Sequence, residues 1–211
     1  FAATSHGTWL LVAGLECRAS RALAAAMQQR GIAVELAEIG PEASADFNVH
    51  VQAIRRALAQ SALGGIVYAV PLLPLRITVP EIAGAATAHV LRAAAFGKAI
   101  AVIAEDEPLP TVFVLTQGAR ATAPNERIGD AGLAQSPLLG LVRTMGMEIP
   151  SVAIQMIDLD AHALTDSGGL LDQLMSGTRE SERVLRNGQA SVARVLKVED
   201  IDLRPASIPS S

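Results

Sequence analysis

The one side chain able to protonate a carbonyl oxygen as a phenol is Tyr68, the sole tyrosine. That chemistry needs a lysine one helical turn away to raise the phenol's acidity. Four residues on stands Leu72, and neither Lys98 nor Lys197 is spaced to assist, so Tyr68 reads as a core residue with a satisfied hydroxyl. Cys17 lies near a helix start, where a thiolate could be stabilised, but it has no partner histidine and reads as a buried or incidental thiol. His6, His50, His89 and His162 are scattered without ligand spacing and read as surface histidines rather than a metal site. Asp158 and Asp160 could form a carboxylate pair. Two residues apart at a strand end, they read instead as a solvated turn and a helix cap. Asp166-Ser167 has the form of a carrier-protein attachment serine, but a glycine follows it and the surrounding four-helix pattern is missing. There is no G-x-S-x-G elbow to activate a serine. Arg18, Arg21 and Arg143 read as helix-surface charges or charges facing a neighbouring subdomain.

The remaining place for chemistry is the first strand–helix turn, where glycines let a backbone approach a pyrophosphate and a helix start supplies donors. It runs Val12-Ala13-Gly14-Leu15-Glu16-Cys17-Arg18, and only Gly14 remains of a glycine-rich fingerprint. Leu15, Glu16 and Cys17 put side chains, one of them anionic, where a phosphate needs bare backbone. Arg18 alone does not restore the cradle. No catalytic, cofactor-binding or metal-binding residue is therefore assigned.

These residues have to be positioned by elements whose apolar periods are legible. Residues 8–13 (TWLLVA) form an uninterrupted apolar run closed by Gly14, as in a strand buried on both faces of a parallel sheet. Helices are expected over 18–30, with Gly31 as its stop, over 48–63 before Gly64-Gly65, and over 81–96. Strands are expected over 32–39, 66–70, 111–116 and 152–159, and a proline-rich loop over 71–80. Residues 97–104 fit either the end of a helix or a strand. The segment 133–150 carries Leu138, Val142, Met145 and Ile149 at helical steps, and Leu139, Leu141 and Met147 fill much of the remaining circumference, so a helix covered on most sides is expected. Ser136-Pro137 suits its start, with Asp130 an earlier alternative, and mid-helix Gly140 implies a close neighbouring backbone. A short helix over 164–175 follows. Residues 183–186 and 189–196 flank Asn187-Gly188, the preferred two-residue hairpin turn. Strand–helix alternation predicts an α/β fold, a parallel sheet with helices on both faces and a closing β-hairpin. One domain over 1–197 and a linker over 198–211 are expected.

Half of the chain is apolar but only 3% is aromatic, so the core must be aliphatic. A net charge of −4 without a basic tract argues against a nucleic-acid surface. One cysteine rules out a disulfide framework and fits a reducing, cytoplasmic setting. The longest apolar runs, such as 93–104 with Lys98 inside, fall short of the ~18–20 residues of a membrane span. The opening FAATSHG and the closing RPASIPSS read as the ends of a segment cut from something longer.

Across about residues 8–197 the chain resembles the structural subdomain of the ketoreductase region of type I modular polyketide synthases. The resemblance rests on the order and spacing of Thr116, Gly118 and Ala119 at a strand end, and of Ala134, Gln135, Leu138, Gly140, Leu141, Arg143, Glu148 and Pro150 in the helix. Asp158, Leu159 and Asp160 at the next strand end, and Arg194 after the hairpin, complete it. It departs from the family's pattern in the 71–80 loop. The alanine-rich composition and the Pro/Ser tail are similar to mycobacterial iterative and mycocerosic-type synthases.

The resemblance implies a truncated, short-chain-reductase-like fold that has lost cofactor binding and catalysis and supports a catalytic ketoreductase subdomain elsewhere in the same polypeptide. Laid on the active-reductase helix pattern by Gly140 and Arg143, the chain has Ala131 at the tyrosine position and Gln135 at the lysine position. NADPH and phosphopantetheine are then expected elsewhere in the synthase, and an enoylreductase or dehydratase domain is a further neighbour. Two alternatives stay open: a diverged NADP-dependent short-chain reductase, and a stand-alone small-molecule-binding Rossmann-like module.

Overall fold

The computed structural model describes residues 6–15, 18–69, 78–123, 126–160 and 167–194. Glu16, Cys17, His162, Asp166, Lys197, most of the 71–80 loop and the 198–211 linker lie outside these residues.

Seven strands form one sheet: β1 (Thr8–Gly14), β2 (Val34–Ile39), β3 (Leu63–Ala69), β4 (Val112–Gln117), β5 (Ile154–Leu159), β6 (Glu182–Arg186) and β7 (Gln189–Ser191). Their order is β2-β1-β3-β4-β5-β6-β7. All neighbours are parallel except β6 and β7, which pair antiparallel across the expected hairpin. Asn187 (φ 50°) and Gly188 (φ 75°) supply its two left-handed residues. The helices are α1 (Arg18–Gln29), α2 (Phe47–Gln60), α3 (Val79–Asp106), α4 (Asp130–Gln135), α5 (Leu138–Glu148) and α6 (Ser167–Met175). Alternation along β1 divides the core: Leu10 and Val12 join the layer under α2, α3 and α5, and Trp9, Leu11 and Ala13 join the layer under α1 and α6. The fold is the expected Rossmann-like α/β sheet with helices on both faces.

Several boundaries differ from the sequence reading, each for a local reason. Gly64 and Gly65 lie inside β3 rather than ahead of it, because the indole of Trp9 presses on this strand; a Cβ on Gly65 would sit 2.6 Å from Trp9 Cζ3. Residues 97–104 continue α3, which runs unbroken for 28 residues. Its start is fixed by Glu81, whose Oε2 accepts from the Thr78 backbone N–H at 2.6 Å, and Pro80 is tolerated in the first turn, where no intrahelical donor is needed. By length and composition α3 could cross a membrane, which corrects the expectation that every apolar run is too short. Here it is a core helix, burying Ala93, Phe96, Ala99, Ile100 and Ile103.

The segment 133–150 belongs to two helices, and both starts offered by the sequence are used: α4 begins at Asp130 and α5 follows Ser136-Pro137 at Leu138. Pro137 lacks an N–H and its ring excludes the carbonyl of residue 133, so α4 ends at Gln135 and Leu133 O accepts from Ser136 Oγ at 2.9 Å. Leu138, Val142, Met145 and Ile149 are buried as their period requires, but Met147 is 75% exposed, so one side of α5 is open rather than covered. Gly140 meets nothing within 4 Å; the close approach is at Gly97 of α3, where an added Cβ would lie 2.9 Å from Met145 Sδ. The last strand stops at Ser191 rather than near residue 196.

Candidate functional site

The fold's usual ligand crevice lies outside the carboxyl ends of the parallel strands, where the order reverses between β1 and β3. There the backbone of β1 stays with β2 beyond Gly14, since Leu15 N donates to Ile39 O at 3.2 Å. The Leu15 side chain reaches over Gly40, whose added Cβ would lie 3.4 Å from Leu15 Cδ1. Beneath is a cavity of about 160 Å³ bordered by Gly14, Leu15, His50, Tyr68 and Arg92. Small-molecule pockets usually span roughly 300–1,000 Å³.

Tyr68 is buried and stacks on Phe96, ring centroids 4.6 Å apart. Burial pushes its phenol up, away from the acidity a proton donor needs. Lys98 is spent elsewhere, its Nζ 4.7 Å over the Phe47 ring. Two of the histidines read as surface residues are core residues. His50 is 1% exposed, with Nε2 2.8 Å from Ser44 O, and burial lowers its pKa. His89 is 2% exposed, and burial lowers its pKa to about 4. His6 is exposed. Among the described residues no cluster of His, Cys, Asp or Glu could hold a metal ion.

The second half of the crevice, at the ends of β4, β5 and β6, overturns the reading of Asp158 as a solvated turn residue. Its carboxylate is fully buried. Oδ1 accepts from Thr116 Oγ1 at 2.7 Å and from Ala119 N at 2.9 Å; Oδ2 accepts from Arg120 N at 3.1 Å and from Arg186 Nη2 at 2.7 Å. Arg186 also donates to Arg120 O at 2.7 Å and to Asp158 O at 2.9 Å. The backbone after β4 is thereby strapped across the ends of β5 and β6. Alongside, Glu182 takes Arg120 Nη1 at 2.5 Å and the guanidinium of Arg143, whose hydrogen bonds hold its carboxyl below the usual range. Arg143, read as a surface or subdomain-facing charge, is thus paired within the chain, as is Arg21 with Glu38 at 2.8 Å. Arg194 pairs with Glu180 at 2.5 Å.

Gln135 is completely buried, and its Oε1 accepts from Gln117 N at 2.9 Å. Ala131, one turn earlier, is also buried. The Gln135 amide therefore faces the backbone at the end of β4. The sequence did signal Gln135, through the helix pattern. Nothing local signalled the ion network, because its partners lie 28 to 66 residues apart.

Residues 12–195 match the family described as the Rossmann fold domain of polyketide synthase extender module SpnB. The chain belongs to this family. No curated protein matches this polyketide synthase Rossmann domain. Among solved structures it is similar to a C2-type ketoreductase from a modular polyketide synthase, with 19% identity and a TM-score of 0.62 over 87% of this chain and 38% of that one. It is also similar to A-type ketoreductases from a modular polyketide synthase, with 16% identity and a TM-score of 0.64 over 90% and 39%. A short-chain dehydrogenase from Rhodopseudomonas palustris gives 12% identity and a TM-score of 0.58 over 85% and 98%. At these identities the likeness is one of fold. The domain spans about two fifths of the length of the ketoreductases it matches.

Proposed function

We propose that this polyketide synthase Rossmann domain is a non-catalytic structural subdomain of a ketoreductase region. On this reading it supports a catalytic reductase subdomain of the same polypeptide during β-keto processing of carrier-bound chains. The observation that carries the reading is the closed carboxyl edge of the sheet. Asp158 and Arg186 strap the loop after β4 over the strand ends, while Ala131 and Gln135 stand where an acid and its lysine would be needed. The residues at the first turn do not fit a dinucleotide, since Leu15 covers Gly40 and only a 160 Å³ cavity lies below. A diverged reductase acting through Tyr68 is disfavoured by the burial of that phenol and by the engagement of Lys98 with Phe47. The small cavity beside His50 and Arg92 favours a second reading, a stand-alone binding module for a compact ligand.

The test is a calorimetric titration of the 211-residue chain with NADPH. The expected result is no saturable heat up to millimolar cofactor and no carbonyl reduction. A dissociation constant in the low micromolar range would overturn the structural role.

A further inference from the structure

The chain has three asparagines, at 48, 125 and 187, and only Asn187 is followed by glycine. Asn187 and Gly188 form the tip of the β6–β7 hairpin, and both are exposed. Without a Cβ, Gly188 leaves its amide nitrogen open to the side chain that precedes it. An asparagine in this setting releases its side-chain amide as ammonia. The Gly188 nitrogen gives its proton to hydroxide and bonds to Asn187 Cγ, the Cγ–Nδ2 bond breaks, and ammonia leaves. Water then opens the resulting five-membered imide. Attack on one carbonyl gives aspartate; attack on the other routes the main chain through the side-chain carboxyl, giving isoaspartate. Water is consumed, ammonia is released, and nothing is oxidised or reduced.

The folded turn slows the ring closure. Asn187 at φ 50° and Gly188 at φ 75° are the left-handed pair of a two-residue hairpin turn, which directs the Gly188 nitrogen away from the Asn187 side chain. The hairpin must therefore open first, and little holds it shut. β7 is three residues long, wholly exposed, and lies at the edge of the sheet. Such an edge sits at the low end of local-opening free energies. Arg186, one residue before, ties this hairpin to the carboxyl edge by donating to Asp158 Oδ2 and to Arg120 O. Aspartate at 187 keeps the turn, because Asp-Gly suits it as Asn-Gly does. Isoaspartate adds a carbon to the main chain, so the pairing of Arg186 with Gln189 is lost.

We infer that Asn187-Gly188 is a site of spontaneous deamidation, reached by fraying of β7, and that the isoaspartate product loosens Arg186 from Asp158. The inference is independent of the structural role proposed above, since it needs only the hairpin and the groups that Arg186 touches.

The test is peptide mapping by mass spectrometry of the full chain held folded at mildly alkaline pH, with digestion at acidic pH to stop further conversion. Conversion is expected at Asn187 and not at Asn48 or Asn125, about tenfold slower than in a synthetic peptide of residues 181–194. Asn187→Asp, which stands for the aspartate product, should keep the parent's thermal midpoint. The isoaspartate form, separated by chromatography, should melt below both. A folded chain that keeps Asn187 intact while the peptide converts, conversion as fast at Asn48 or Asn125, or an isoaspartate form melting with the parent would each overturn the inference.

Discussion

Asp158 is the residue on which most of the carboxyl edge depends: its two oxygens take four donors from two separate stretches of chain, 116–120 and residue 186. Removing the carboxylate leaves Arg186, itself largely buried, with Glu126 at 3.5 Å as its remaining ion partner. Breaking a buried pair from one side costs about 3–5 kcal/mol, so Asp158→Ala should lower the urea-derived stability by up to that amount. Because the two residues act as one unit, Arg186→Ala should cost much less in the Asp158→Ala background than alone; additivity within about 0.5 kcal/mol would show them to be independent. The sequence concealed this, since an Asp-Leu-Asp strand end looks like a solvated turn until residues 119, 120 and 186 are brought to it. His89 is a second buried group, with neither ring nitrogen hydrogen-bonded among the described residues. Its folded pKa of about 4 lies below the ordinary 6.5, so the unfolded chain binds the proton first as pH falls. Stability from this group is complete above about pH 6.5 and is lost progressively toward pH 4. Replacing it by leucine removes an unsatisfied polar group and that proton uptake. The thermal midpoint of His89→Leu should therefore fall less between pH 7 and pH 4.5 than that of the parent, as read by circular dichroism. His50, also shifted down by burial, keeps part of the acid sensitivity.

At the scale of elements, the strands and the apolar face of α5 were legible because a period of two or of 3.6 is a local property of the chain. Two helical regions were only partly legible. Residues 97–104, open between a helix end and a strand, extend α3, and the two starts offered for the 133–150 helix, Asp130 and Ser136-Pro137, begin separate helices. Which glycine marks a crossing was not legible either, because that depends on the neighbour. The structure separates three of them. Gly140 is exposed with open space around it, so Gly140→Ala should raise stability by up to about 1 kcal/mol through helix propensity alone. At Gly132 an added Cβ would lie 1.9 Å from Gly118 O, a backbone atom that cannot rotate away. Gly132→Ala must push α4 off the end of β4 and strain the Gln135–Gln117 hydrogen bond, at a cost of about 1–3 kcal/mol in chemical denaturation. Gly97→Ala falls between, since its obstacle is the flexible end of Met145. Equal effects at 132 and 140 would contradict this packing.

At the scale of the whole molecule, the same sheet that completes two aliphatic cores leaves Leu133 and Met147 on its outer helices exposed, at 44% and 75%. The domain covers only 38–39% of the ketoreductases whose fold it shares, so under the proposed role the remainder supplies the catalytic neighbour. That role has a thermodynamic signature. A neighbour that binds only the folded domain stabilises it by mass action, about 2.7 kcal/mol when present at a hundred times its dissociation constant. In a domain of this size each kcal/mol moves the midpoint by roughly 2–4 °C, which gives an increase of about 5–10 °C. Adding the separately produced catalytic subdomain to the chain and following Trp9 fluorescence on heating should show this increase and its growth with partner concentration. Because the buried Trp9 lies in β1, far along the chain from the carboxyl-edge network, its signal reports the unfolding of the sheet and not local fraying. A midpoint that stays fixed across partner concentrations would remove the supporting role while leaving the fold and the family assignment intact.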